Sequence, residues 1–304
     1  MSEQQRLFTL APEIRSGAAP VPEGLDLFVV LSGHMDAGRT ASQVRTAVRE
    51  RLERRVIAEF DVDRLIDYRD RRPRISFDGE RFRDLRMPSI TLELVQDPLG
   101  HPFLMLAGPE PDFAWQAFSR AVLDLAEAWR VESLVFADAV PMPVPHTRRL
   151  GVTAHGTHTA VLRGLTTWSG AATMMGGAAQ VIEYGAEERG ILTAGYSIHV
   201  PHYVAEAKYP PAAVAVLEYA GAAMGRMLPA DELRDAVREV EAELDRQTGE
   251  SPEIQTMISG LERNYDQNAG GQERSLLETS HGLPDGEELA SAVEAYLSRR
   301  QFDD

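Results

Sequence analysis

The sequence predicts an α/β protein: a three-layer sandwich around a mixed, mostly parallel sheet, with a C-terminal helical appendage. Three observations predict it. Short apolar runs rich in β-formers alternate with helical patterns between residues 25 and 226. A Gly-rich turn joins the first such run to the first helical pattern. After Pro229, apolar residues recur only at helical spacing.

Taken in order, residues 1–24 contain Pro12, Gly17, Pro20, Pro22 and Gly24 and read as an irregular arm. Residues 25–31 (Leu-Asp-Leu-Phe-Val-Val-Leu) read as a buried strand ending at Ser32-Gly33. Val44, Val48 and Leu52 share one face of a helix over 41–54, and 56–61 reads as a second strand. This β-loop-α-β opening is the unit of a parallel sheet. Further strands are expected at 74–77, 90–95, 102–106, 133–136, 152–154 and 190–199, and helices at 112–129, 172–188 and 212–226. In the appendage, Leu233, Val237, Val240 and Leu244 form one helical stripe, and Ile254, Met257, Ile258, Leu261 and Tyr265 form another. Pro252 suits the first turn of the second helix. The domain reading is an arm over 1–24, a core over 25–228 and a helical appendage over 229–304. The appendage includes a Gly-, Ser- and Asp-rich mobile segment at 266–286 and a last helix at 286–299.

Composition narrows the chemistry. The chain has 304 residues, 43% hydrophobic and 26% charged, which suits a globular protein of one large domain or two small ones. A net charge of -16 repels phosphate backbones and anionic membranes, so neither nucleic acid nor membrane is expected as a partner. There is no Cys, which removes disulfides, thiolate catalysis and Cys-ligated metals. Lys208 is the only lysine and follows no Gly-rich loop, so a Walker A loop and Schiff-base or pyridoxal chemistry are largely excluded. No basic leader and no apolar run near the ~18 residues of a membrane span is present, and a cytoplasmic protein is expected.

Four constellations fall at the ends of expected strands. Residues 33–40 (Gly-His-Met-Asp-Ala-Gly-Arg-Thr) form a turn whose backbone N–H groups suit an anion, or a tight turn in which Asp36 or Thr40 caps the helix. Residues 108–115 place Glu110 between two prolines, as a general base, a hydroxyl acceptor or part of a stiffened helix start with Asp112 as N-cap. In residues 141–149, three prolines extend the chain ahead of His146 and Arg148. Arg148 is suited to an anion, or to an internal pair with Asp36 or Glu110. The fourth is His199-Val-Pro-His202. His-x-x-His can ligate a metal, but outside a helical frame a strand-end histidine is the commoner outcome. No metal and no cofactor are therefore expected. The small-residue stretch 170–179 suits close packing or an oligomer seam. If the strands run parallel, all four constellations meet on one rim, which makes Asp36, Glu110, His146 and His202 candidate catalytic groups and Gly33, Gly38 and Arg148 candidate ligand-binding groups.

These residues also carry a resemblance. The stretch Leu31 to Gly38, Arg71-Arg72-Pro73, Gly108 to Asp112 with Trp115, Pro145 to Arg148, and Pro201 to Val204 occur in a family's order. Over about residues 25–265 the sequence resembles the proteasome assembly chaperone family, in the second-chaperone branch and its actinobacterial form. The resemblance implies a phosphorylase/hydrolase-like α/β core, protein partners such as proteasome subunits, and homo-oligomers among bacterial members. Family members carry a proline where Arg149 stands. They dock through a C-terminal hydrophobic-Tyr-any tripeptide, whereas this chain ends Phe302-Asp303-Asp304, without the tyrosine. The expected function is a non-enzymatic, assembly-chaperone-like interaction protein. The alternative is an enzyme or binding module for a small anionic or nucleoside-like ligand at the rim.

Overall fold

A computed structural model describes residues 7–165 and 173–269. Along the chain lie β1 (Phe8–Leu10), α1 (Pro12–Arg15), β2 (Leu27–Ser32), α2 (Thr40–Arg51), β3 (Glu53–Phe60), α3 (Val62–Leu65), β4 (Arg74–Phe77) and β5 (Phe82–Arg86). Next come β6 (Thr91–Gln96), β7 (Pro102–Pro109), α4 (Trp115–Ala128), β8 (Ser133–Met142), β9 (Val152–His155), α5 (Thr159–Leu162) and α6 (Ala178–Glu188). The last are β10 (Leu192–Pro201), α7 (Pro210–Met224), α8 (Asp231–Glu250) and α9 (Pro252–Ala269). Eight strands form a mixed sheet in the order β1-β3-β6-β7-β2-β8-β10-β9, and β4 and β5 form a separate two-stranded sheet. At the centre β2 pairs in parallel with both β7 and β8, while β3, β6 and β7 pair antiparallel in turn. The mixed α/β architecture with a helical C-terminal region is the one predicted.

The chain divides into two compact units. The first comprises Met1–Gly33, Leu52–Phe136 and Met175–Thr193. Its core gathers Leu27 and Val29 of β2, Ile57 of β3, Leu92 of β6, Leu104 and Leu106 of β7, Phe118 and Val122 of α4 and Ile182 of α6. Each such side chain stabilises by about 1.5–3 kcal/mol when fully buried. Phe60 and Phe118 meet edge to face at 4.9 Å, joining sheet to helix. Strands β2 and β7 are buried on both faces, which is why they read as continuous apolar runs. The second unit comprises His34–Arg51, Ala137–Met174 and Ala194–Asp304. Here α2 packs on α7, α7 on α8, and α8 on α9. The α7 face is built of Ala212, Ala213, Val216 and Ala220, whose small side chains let helices approach closely.

Several local expectations are corrected. Phe8–Leu10, within the arm read as irregular, adds a three-residue edge strand to β3, and Pro12–Arg15 makes one helical turn. Helix α4 begins at Trp115, and Ala114 in the left-handed region precedes it without a side-chain cap; Asp112 is not the N-cap. Helix α6 begins at Ala178, after Gly176-Gly177. Residues 266–269 of the segment read as mobile belong to α9. The rest of that segment, the expected last helix, the terminal tripeptide and residues 170–172 of the small-residue stretch lie outside the described residues.

Candidate functional site

In the first unit the parallel pairing of Ser32 with Pro109 brings the ends of β2 and β7 side by side. Gly33 and Glu110 are therefore neighbours, and the Glu110 N–H donates to the Ser32 carbonyl at 2.7 Å. The Glu110 carboxylate Oε1 accepts the Ala178 N–H at 2.5 Å. A negative group at this helix N-terminus is favoured by the free N–H groups and the helix dipole. The approach is so close that a Cβ on Gly33 or Gly177 would overlap the carboxylate. Arg71 fixes the loop from outside: its Nη1 donates to the Glu110 carbonyl and its Nη2 lies 3.1 Å from Asp112 Oδ1. Asp112 Oδ2 accepts the Asp67 N–H at 2.7 Å, which is why this side chain does not cap α4.

In the second unit Asp36 Oδ1 accepts the Ala41 N–H at 2.7 Å, in the first turn of α2. Burial pushes the Asp36 carboxyl up to about 6, against the pull of Ala41 N–H, Arg45 and Arg39. The Gly38 N–H, one of the groups expected to face an anion, donates to the Ala205 carbonyl at 2.6 Å. Gly38 has φ +70°, and a Cβ there would meet Tyr209 at 2.8 Å. Both the conformation and the space require glycine.

His146 is buried beside Tyr203. The Tyr203 hydroxyl accepts the His146 backbone N–H at 2.7 Å and lies 2.8 Å from His146 Nδ1. Nε2 faces Asp245 Oδ1 of α8 at 3.7 Å. Burial lowers the His146 pKa below its ordinary 6.5, against the opposing pull of Asp245, and raises that of Tyr203. His202 also packs edge to face with this tyrosine, at 5.3 Å between ring centroids against 5.9 Å for His146.

Arg148 lies against α9. Its Nε and Nη2 each reach a different Asp266 carboxylate oxygen at 2.9 Å, and Nη1 donates to Glu262 Oε1 at 3.0 Å. The Thr147 hydroxyl donates to the same Glu262 oxygen at 2.6 Å, and the Tyr265 hydroxyl donates to the Arg149 carbonyl at 2.8 Å. Neither Asp36 nor Glu110, the partners weighed from sequence, is among these bonds. Two-point guanidinium–carboxylate contact is the geometry expected for holding an anion, and here the anion is the chain's own helix. His199 Nε2 is 2.8 Å from the Thr153 hydroxyl, and burial lowers its pKa to about 4. Among the described residues, no group of three or more His, Asp or Glu is placed to hold a metal ion. Nor is any described helix long and apolar enough to cross a membrane.

The structure thus pairs Gly33 with Glu110 in one unit. In the other it places His146 and His202 around Tyr203, while Asp36 and Gly38 hold the helix turn. Glu262, Asp266 and Asp245 escaped the sequence reading, and Tyr203 entered it only as part of the stretch Pro201 to Val204, without a role of its own. The one available signal was the acid pair four apart, Glu262 and Asp266, on one face of a helix.

A mixed-sheet α/β protein whose loop charges are engaged by its own helices is the class that fold and site define. Solved structures share the fold. A Corynebacterium glutamicum protein of unknown function is 35% identical, with a TM-score of 0.83 over 88% of this chain and 100% of that one. A Mycobacterium tuberculosis protein, also of unknown function, is 34% identical, with a TM-score of 0.81 over 89% of this chain and 92% of that one. A Mycobacterium tuberculosis proteasome-assembly chaperone homologue is similar at 23% identity and TM-score 0.69, over 76% of this chain and 99% of that one. No match was found among curated proteins. The sequence model of the PAC2 family matches residues 30–248, and the chain belongs to that family.

Proposed function

We propose that this chain acts through protein contacts, as an assembly-chaperone-like protein whose partners include proteasome subunits and further copies of itself, and that it is not an enzyme. The observation that carries the reading is the engagement of its strand-end charges within the chain. Arg148 is held by Glu262 and Asp266, and the Glu110 carboxylate is on the N-terminus of α6. An anion-binding enzyme would keep these groups open to its substrate. Family membership and the likeness to a proteasome-assembly chaperone homologue supply the direction. Affinity capture from native lysate of the source organism tests it. Recovery of proteasome subunits or their assembly intermediates is the expected result, and a capture containing none of them overturns the proteasome part. The ligand-binding alternative is read by thermal shift with nucleosides and inorganic phosphate. A native-state ligand must raise the melting temperature, and the expected shift is nil.

A further inference from the structure

The two-stranded sheet β4–β5 stands outside the eight-stranded sheet, and all nine of its strand residues are exposed. An isolated two-stranded hairpin is at best marginally stable in water. This one also displays its apolar side chains: Ile75 is 48% exposed, Phe77 60%, Phe82 69% and Leu85 59%. Phe77 and Phe82 are direct cross-strand partners with ring centroids 5.3 Å apart, so they share one face, and Ile75, two residues before Phe77, shares it too. The register shifts between Arg74 and Ser76, where Asp84 takes φ +50°. The extra residue sets both Asp84 and Leu85 opposite Ile75, bringing Leu85 toward the apolar face. The other face carries Arg83 opposite Ser76, and Arg74 directly opposite Arg86. Like charges in direct opposition destabilise a ribbon standing alone.

Charge says what covers this arm. Residues 69–87 hold seven Arg against four Asp or Glu, in a chain whose net charge is -16. The arm is thus a cationic, apolar projection on an otherwise strongly acidic molecule. Two such arms laid on one another would oppose arginine to arginine. A second copy of the chain supplies, outside its own arm, the carboxylates that Arg74 and Arg86 require.

We propose that the β4–β5 hairpin is a self-association arm: it docks, by the Ile75/Phe77/Phe82/Leu85 face and its arginines, on the acidic body of a second copy of this chain. The inference rests on the self-association part of the proposed function and not on the proteasome part. Light scattering coupled to size exclusion tests it on the full chain. The expected mass is a multiple of 33.6 kDa, falling to one copy in Phe77→Ser/Phe82→Ser and shifting strongly toward one copy in Arg74→Glu/Arg86→Glu. Far-UV circular dichroism should be unchanged in both variants, because the hairpin lies outside the main sheet. A wild-type chain that runs as a single copy overturns the proposal, and so does an oligomer whose mass survives both double substitutions. A failed proteasome capture beside an arm-dependent oligomer would sink only the proteasome reading.

Discussion

At Asp36, hydrogen bonding and burial pull in opposite directions. The carboxylate accepts the Ala41 N–H, which favours the charged form, yet burial raises its pKa from 3.8 to about 6. Between those values the folded chain holds a proton that the unfolded chain has released, so this group's contribution to stability falls as pH rises through that window and is level above it. Asp36→Asn keeps the acceptor and removes the charge. Its advantage over wild type should be nil at the acid end of the window and grow to at most about 3 kcal/mol above it. Urea denaturation on either side of the window checks the sign. Tyr203 makes a second test. Removing its hydroxyl strips a partner from the buried His146 N–H and from Nδ1 together. Tyr203→Phe should cost about 1–3 kcal/mol, read in the same way, because two buried polar atoms lose their bonds while the ring packing stays.

At the scale of elements, α9 is docked on the 145–149 loop by charges that are only partly buried. Arg148→Ala should accelerate hydrogen exchange across Pro252–Ala269 while leaving β2 and β7 protected. Glu262→Gln/Asp266→Asn should produce the same pattern, and combining it with Arg148→Ala should add little, since both remove one network. Additive effects would show that α9 is held elsewhere. Legibility differs between elements with the residue pattern each one carries. β2, β6 and β7 are buried on both faces and were read from their apolar runs. β4, Arg-Ile-Ser-Phe, is exposed on both faces but alternates and was legible, whereas β5, Phe-Arg-Asp-Leu-Arg, is equally exposed and went unread because the extra residue at Asp84 breaks its alternation. The start of α4 was misplaced because Asp112, a good cap by type, is drawn to Asp67 and Arg71 by contacts remote in sequence.

For the whole molecule, the candidate site was legible in its residues but not in its partners. Strand ends announced Glu110, His146 and Arg148; that Arg148 meets Glu262 and Asp266, 114 and 118 residues further on, is a consequence of docking that no local spacing carries. The same charges make salt a discriminating probe. With net charge -16, the compact state suffers self-repulsion that screening relieves, whereas the Arg148 contacts are attractions that screening weakens. Adding salt from low ionic strength to the physiological range, where the Debye length is about 8 Å, should therefore raise the global melting temperature by a few degrees while accelerating exchange in α9. The measurement belongs on the Phe77→Ser/Phe82→Ser chain, so that association through the arm does not contribute. If both quantities moved toward greater protection, the α9 contacts would be governed by packing of Met257, Ile258 and Leu261, all buried, and not by the arginine. If both moved toward less protection, attraction would dominate throughout, and the acidic excess would be too dispersed to strain the fold.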